Sequence, residues 1–406
     1  MRAGVFLKIA ILSDFHIGYE RFREDALRQA TEAMEVASRE TDLMVIAGDV
    51  FDYRHPKPEI IIEAATLFKK ISSQKFAARV IGFEGRGNCY TEAPIIAIPG
   101  THERRTADET DSIDLLNLAG YLVNANQARV TVGKGSERIS VFGIGGVAEE
   151  RFKETIAQIN PAPLEGAFNL FIFHQSVYEF LPFGENIIKL EELPKGFDLY
   201  IDGHIHSKVE AKCHGKSFLI PGSTVLTQLK EGEQEEKGFF IYDTETNNYF
   251  FRKINSRRFV MVKLDIEGLA PAEVKHMVEE EVSKITPGGT DKPIIRVVLE
   301  GRLKEGFKNI DLSLKSISDS HSGSAIVEIT KSGIDSKVSK EIEELRSGML
   351  ENASIRDYGV GIFVKRLAEN KYDLNVSPSV LFDLLSSEEK KETSINRALD
   401  IIFPSA

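Results

Sequence analysis

Residues 43–52 read Leu43-Met44-Val45-Ile46-Ala47-Gly48-Asp49-Val50-Phe51-Asp52: five apolar side chains in a row, then a Gly-Asp turn. A run that short and that uniformly apolar predicts a strand buried on both faces. Residues 9–16 repeat the arrangement, with Ile9-Ala10-Ile11-Leu12 followed by Ser13-Asp14-Phe15-His16. Between the two runs Phe22, Ala26, Ala30, Ala33, Met34 and Ala37 recur at helical spacing, and beyond them Ile60, Ile61, Ala64, Leu67, Phe68 and Ile71 do the same. Strands alternating with helices imply α/β layering. Further strands are expected at 95–98, 140–144, 170–173, 199–201, 218–220 and 239–242, several of them joined without an obvious long helix. That spacing predicts a mixed core of two sheets in place of one open parallel sheet.

The chain has 406 residues, 42% of them hydrophobic and 28% charged, values that exclude a structureless chain, a collagen or a coiled-coil rod. Its length predicts two or three domains. With 51 Lys+Arg against 62 Asp+Glu the net charge is −11, which by itself argues against a nucleic-acid partner. The early apolar run, residues 5–12, is broken by Lys8 and does not suit a secretory signal, and no later stretch approaches the length of a membrane span. Two distant cysteines, Cys89 and Cys213, fit neither a disulfide framework nor a cysteine zinc site, so a reducing cytoplasm is expected.

The pattern changes at 252–258. Beyond it come a strand at 259–264, a helix from Pro271 to about 285 and a strand at 294–299, the outline of a small α+β domain. Serine-rich 313–324 reads as a loop. Residues 78–93, with Gly82, Gly85 and Gly87, read as an inserted surface loop. Val380, Leu381, Leu384 and Leu385, then Ile395, Ala398, Leu399 and Ile402, predict two short amphipathic helices suited either to packing on the body or to docking a partner. The expected boundaries are 1–258, 259–355 and 356–406.

Five chemical motifs each follow an apolar run: Asp14-Phe15-His16, Gly48-Asp49, Gly100-Thr101-His102-Glu103, His174, and Gly203-His204-Ile205-His206. Ligand sites of α/β folds form at the carboxyl ends of strands, so these motifs predict one convergent site. Imidazole and carboxylate without thiolate suit manganese, iron, zinc or a similar divalent ion. Six strong ligands exceed what one open catalytic ion needs and suit two ions about 3.5–4 Å apart, bridged by a carboxylate for which Asp49 is the natural choice. Asp52 and His55 either face the substrate or, for Asp52, cap the turn. His214, His276 and His321 lack metal-like neighbours.

Taken together, D-x-H, G-D-x-x-D, G-x-H-E, a later His and G-H-x-H resemble the calcineurin-type metallophosphoesterase superfamily. The resemblance covers about the first 250 residues. It implies a two-layer β-sandwich flanked by helices, here with a smaller α+β capping domain and a C-terminal helical tail. More narrowly, Gly48-Asp49-Val50-Phe51-Asp52 before a Pro-containing helix start, Pro221-Gly222-Ser223-Thr224, and Glu235-Glu236-Lys237-Gly238-Phe239 resemble the SbcD and MRE-eleven nucleases of double-strand-break repair.

That resemblance implies that Asp14, His16 and His206 hold one metal, that His174 and His204 hold the other, that Asp49 bridges them, and that His102 is the catalytic residue beside the scissile phosphate. It implies two Mn2+ (or Mg2+ or another divalent ion), exonuclease and endonuclease action on DNA ends, a homodimer, and an SbcC-type (RAD-fifty) ABC ATPase docked on the terminal helices. The family's asparagine before the catalytic histidine is Thr101 here, a weaker donor to the second metal. Arg104, Arg105, Arg252, Lys253, Arg257 and Arg258 are candidate DNA-backbone contacts. Two competing readings are a small-molecule or cyclic-nucleotide phosphodiesterase with the same metal motifs, and a DNA-end-binding scaffold with weak catalysis.

Overall fold

The computed structural model describes residues 6–85, 87–104, 110–181, 187–285, 291–308 and 311–331. The C-terminal segment expected at 356–406, its two helices, and Arg105 lie outside the described residues.

In chain order the elements are β1 (Lys8–Leu12), α1 (Arg23–Glu40), β2 (Leu43–Ala47), α2 (Pro58–Ser72), β3 (Arg79–Glu84), β4 (Ile95–Ile98), α3 (Ser112–Leu118), β5 (Val123–Asn124), β6 (Ala128–Lys134) and β7 (Glu137–Ile144). There follow α4 (Glu149–Ile159), β8 (Phe168–Phe173), β9 (Leu199–Asp202), β10 (Val209–Cys213), β11 (Lys216–Ile220), β12 (Gly238–Asp243), β13 (Asn248–Lys253), β14 (Phe259–Asp265), α5 (Pro271–Lys284), β15 (Ile294–Glu300), α6 (Lys315–His321) and β16 (Ile326–Lys331). They make a six-stranded sheet ordered β13-β12-β1-β2-β4-β5, a seven-stranded sheet ordered β10-β11-β9-β8-β7-β6-β3, and a three-stranded sheet ordered β14-β15-β16.

Side-chain alternation explains why the strands are apolar throughout. On β2, Leu43, Val45 and Ala47 join Ile9 and Ile11 of β1 and Leu170, Ile172, Leu199 and Ile201 of the other sheet in one buried cluster. Met44 and Ile46 face the other way and pack with Ala30, Met34, Ala64 and Phe68 of α1 and α2. On β8 the same division sends Phe171 and Phe173 outward to Phe152 of α4. The two large sheets thus form a sandwich with a helical layer on each outer face, and a strand covered on both sides has no place for a polar residue.

Two expectations are corrected. Residues 78–93 begin with β3, an edge strand paired antiparallel with β6 through a bulge between Val80 and Gly82. The bulge and Gly82 break the alternation by which a strand is read. Serine-rich 313–324 contains α6, whose Ile317 is buried. Few apolar residues suffice there because one buried side chain anchors two turns. β5, β6, β10, β13 and β16 also went unread, being short or half-exposed.

The chain divides into two compact units. Among the described residues, the larger lies within 6–263, 275–298 and 313–330, and the smaller within 264–274, 299–312 and 331. In the larger, Phe259 and Ile294 pack with Phe22 and Ala26 around Val225, Leu226 and Leu229. In the smaller, the Ile266 amide donates to the Glu300 carbonyl at 2.7 Å and the Gly268 amide to the Arg302 carbonyl at 2.8 Å.

Candidate metal centre

β1, β2 and β4 run parallel to one another, as do β7, β8, β9 and β11. The motif residues follow the carboxyl ends of β1, β2, β4, β8 and β9, so the turns after five strands meet at one end of the sandwich. Their backbones are laced together: the Asp14 amide donates to the Gly48 carbonyl and the His16 amide to the Asp49 carbonyl, each at 3.0 Å. Asp14, His16, Asp49 and His204 all have positive φ, between 47° and 71°. Left-handed backbone at four non-glycine residues is strain that the surrounding structure must impose, and it gathers where side chains are aimed at a common point. Glycine is required beside them. A Cβ on Gly48, itself at φ +90°, would fall 2.4 Å from His174 Nδ1, and one on Gly100 would fall 2.2 Å from Asp49 Oδ1.

Two groups of potential ligand atoms result, Asp14 with His16 and His206, and Asp14 with Asp49 and His174. Asp14 is common to both, whereas Asp49, expected to be the bridge, is grouped with His174. His204 stands beside His174, ring centroids 5.3 Å apart, and its Nδ1 lies 3.4 Å from Thr101 Oγ1. A third grouping, His16 with Asp52 and His102, is a hydrogen-bonded network: His16 Nδ1 donates to Asp52 Oδ1 at 3.1 Å, and His102 Nδ1 donates to the Asp52 carbonyl.

The Nδ1 bonds decide whether the residues suit a metal. His174 Nδ1 donates to the Ala47 carbonyl at 2.7 Å, which turns its Nε2 toward the site. That Nε2 is buried without a hydrogen-bond partner, although Asp49 Oδ2 is 3.2 Å away. His16 and His206 likewise have Nδ1 bonded elsewhere, and their Nε2 atoms face one another at 3.1 Å. Inward-facing imidazole nitrogens beside two buried carboxylates form a donor set that calls for a cation, and the residues present fit a divalent ion.

The electrostatics agree. Burial lowers the proton affinity of His174, but Asp49 and Asp14 override it and push the ring up to about 10. Burial also opposes charge on His16, which Asp52, Asp49 and Asp14 reverse to a raised value. His204 and His206 go the other way, to about 4 and about 2, because burial is joined by repulsion from His174 and His16 respectively. Burial raises Asp14, whereas the neighbouring imidazoles, His174 foremost, outweigh burial at Asp49 and hold it ionised.

The supporting roles of four residues, Glu103, Thr227, Glu233 and Lys237, escaped the sequence reading. Glu103 is fully buried and accepts the amides of Phe51 at 2.7 Å, Gly100 at 2.7 Å and Asp49 at 3.2 Å, tying two motif turns together. Burial and the Asp49 charge push its carboxyl up to about 8. Thr227 and Glu233 stand behind His206, and Lys237 pairs with Glu233 at 3.4 Å. In sequence Glu233 is one acid in a run that reads as a solvated surface, and nothing in its spacing marks it as buried.

The basic cluster is not an open patch. Arg252 pairs with Glu40 at 2.9 Å, Lys253 with Glu236, and Arg257 with Asp25 through two nitrogens. Arg104 follows the catalytic motif, its amide bonded to the Thr101 carbonyl. His321 pairs with Glu279 and His214 with the Leu193 carbonyl, outside the ligand groups.

The family description "Calcineurin-like phosphoesterase" matches residues 7–208. The chain is 23% identical over 364 residues to a double-strand break repair protein MRE11 of Arabidopsis thaliana, covering 76% of this chain and 49% of that one. It is 27% identical over 261 residues to the DNA double-strand break repair protein Mre11 of Methanopyrus kandleri, covering 58% and 54% respectively. It is 22% identical over 316 residues to the Sulfolobus acidocaldarius Mre11, covering 73% and 75%. The chain thus spans about half the length of the first two of these relatives. Residues 7–208, with the helix-flanked sandwich they build, are a calcineurin-like phosphoesterase domain, and the chain that carries it resembles the Mre11 double-strand break repair proteins.

Proposed function

We propose that this chain is a metal-dependent phosphodiesterase that nicks or trims DNA at broken ends. The observation carrying the proposal is the convergence of inward-facing His16, His206 and His174 Nε2 atoms on the Asp14 and Asp49 carboxylates. Asp14, His16 and His206 would hold one ion and His174 and His204 the other, with Asp49 as the carboxylate shared between them and the Thr101 hydroxyl adding a weak donor. Manganese is the proposed ion. When bound, the ions supply Lewis acidity toward the phosphate and a hydroxide nucleophile at neutral pH.

The chain's own residues do the rest. Glu103 holds the Gly48–Phe51 and Gly100 turns in register, Asp52 orients His16, and the Ala47 carbonyl orients His174. His102 is anchored through Nδ1 to the Asp52 carbonyl, and its half-exposed ring presents Nε2 at the opposite edge. There the ring, when doubly protonated, would give its Nε2 proton to the leaving oxygen or stabilise charge on the phosphoryl group. Arg104 is proposed to contact the DNA backbone, and Arg252, Lys253 and Arg257 would do so only on leaving their acidic partners.

The Mre11 relatives support DNA ends as the substrate and, as family partners, an ABC ATPase of the SbcC or RAD-fifty type. A second copy of the chain is the further partner proposed. Exposed Ile62 on α2 with Leu115 and Leu118 on the adjoining α3 supports that homodimer. Residues 259–355 are proposed to cap the DNA, and the protein to act in the cytoplasm; among the described residues no helix is long and apolar enough to cross a membrane.

The test is cleavage of end-labelled duplex DNA with Mn2+, with Mg2+ and with chelator, alongside a nitrophenyl phosphodiester. Mn-stimulated, chelator-sensitive DNA cleavage supports the nuclease, and turnover of the small ester alone overturns it. Thr101 favours one second reading, a DNA-end-binding scaffold whose second metal site is weakened. DNA binding without cleavage, with the second ion held only weakly, would establish that instead.

A further inference from the structure

Behind His206 lies a buried chain of polar groups that the reaction just proposed does not use. His206 Nδ1 is 2.5 Å from Thr227 Oγ1, and Thr227 Oγ1 is 3.0 Å from Glu233 Oε1. Glu233 is 4% exposed and accepts the amides of Thr227 at 3.0 Å and Gln228 at 2.7 Å. Lys237, also buried, reaches Glu233 at 3.4 Å, Ser223 Oγ at 2.9 Å and the His206 carbonyl at 3.1 Å.

A threonine hydroxyl has one proton and here has two neighbours that could take it. Burial works against charge on Glu233, but Lys237 and the two amides outweigh it and hold the carboxyl below its ordinary range. An ionised carboxylate only accepts, so the hydroxyl proton points to Glu233. The Thr227 oxygen must then accept from His206, which requires a hydrogen on Nδ1. In the neutral ring the lone pair is left on Nε2, the atom 3.1 Å from His16 Nε2.

We propose that Glu233, acting through Thr227, sets the Nδ1–H tautomer of His206, and that the two are positioning residues of the candidate metal centre. The inference rests on the reading of His206 as a ligand. His16 has a carboxylate orienter in Asp52 and His174 a backbone carbonyl, so with the Thr227–Glu233 relay the Nδ1 atoms of His16, His174 and His206 are each held from behind. Orienting groups of this kind are worth about 10–100-fold in metal affinity. Lys237 keeps the far end charged and at the same time fixes the backbone of His206.

The test uses the full chain with Mn2+ in titration calorimetry and selectively 15N-histidine-labelled, ion-free protein in NMR. Thr227→Val should weaken binding about 10–100-fold, whereas Thr227→Ser should stay within about threefold of wild type, since serine keeps the hydroxyl that valine replaces with a methyl. Glu233→Gln can donate to Thr227 and turn its proton toward His206, so it should move the His206 signals toward the Nε2–H form. If wild-type protein binds two ions and the valine and glutamine variants match it in affinity and in His206 tautomer, the relay is wrong while the metal centre stands. If the wild-type chain binds no ion, the metal centre itself is wrong. If the valine variant does not fold, the glutamine variant still separates the outcomes, since a purely structural role predicts no tautomer change in it.

Discussion

The Nε2 atoms of His16 and His206 lie 3.1 Å apart, and the Nδ1 of each ring is bonded to another group. Two acceptors face each other unless a cation stands between them. In the ion-free chain a proton on His16 can fill that place, consistent with its raised proton affinity, and a divalent ion replaces it. Ion binding should therefore stabilise the fold strongly. At an ion concentration about a hundred times Kd, each site adds about 2.7 kcal/mol. Thermal melting with Mn2+ against chelator checks this, and equal midpoints would remove the case for a metal at this contact.

His174 predicts a pH dependence that reverses the usual one for a buried histidine. Its folded value, about 10, lies above the unfolded value of about 6.5. The stabilisation that its proton brings to the ion-free chain is thus complete below pH 6.5 and is lost as pH rises through about 10. Ion-free protein should melt progressively lower between pH 7 and 10. Loaded protein, in which Nε2 carries no proton, should lack that component. Calorimetry across this range, with and without chelator, reads the difference, and parallel curves would place the proton elsewhere.

His102→Ala should reduce DNA cleavage by about 10²–10⁴-fold, the usual contribution of a positioned acid or base. Bound metal should stay near the wild-type amount, because His102 lends the candidate ligands only its backbone amide, which donates to Asp49 Oδ1 at 2.8 Å. Metal analysis beside a nuclease time course tests the assignment, and retained cleavage would remove His102 from the chemistry.

Glu103→Ala should destabilise the protein by about 3 kcal/mol or more, since it orphans three buried amides at about 1–3 kcal/mol each. Glu103→Gln keeps an acceptor oxygen and should cost less. Denaturant unfolding of both variants measures the gap, and a loss under about 1 kcal/mol for the alanine variant would mean that water takes over the amides.

Arg257→Ala should act on stability before it acts on DNA. Asp25, buried beneath it, would keep Arg28 at 3.0 Å, and losing the charged hydrogen bonds of one arm should cost about 1.5–3 kcal/mol. A phosphate contact would instead lower the slope of log affinity against log salt by about one. The variant is expected to melt lower with that slope unchanged. DNA affinity of the chain should be modest and strongly salt-dependent, because the net charge of −11 leaves local cations to carry it.

Much of this protein is local chemistry. The strand 43–47 could be read because a segment covered on both faces must be apolar along its whole length, and its Gly48-Asp49 ending because only particular residues tolerate a left-handed turn aimed at a site. The same locality made Asp14, His16, Asp49, His102, His174, His204 and His206 legible, each lying within a few residues of a strand end. β3 was lost because a bulge and Gly82 break its alternation, and α6 because serine hides a helix anchored by Ile317.

The sequence by itself determined the layered α/β class, the order of the motifs and the imidazole and carboxylate donors, because these follow from periodicity and turn chemistry over short spans. Only the tertiary structure decided which groups stand behind those donors. Asp52 lies 36 residues from His16, Glu103 52 from Phe51, and Thr227 21 from His206. It likewise decided that Arg252, Lys253 and Arg257 are paired with acids. Contacts across such separations are set by how two sheets and their loops pack, and no short-range spacing encodes them.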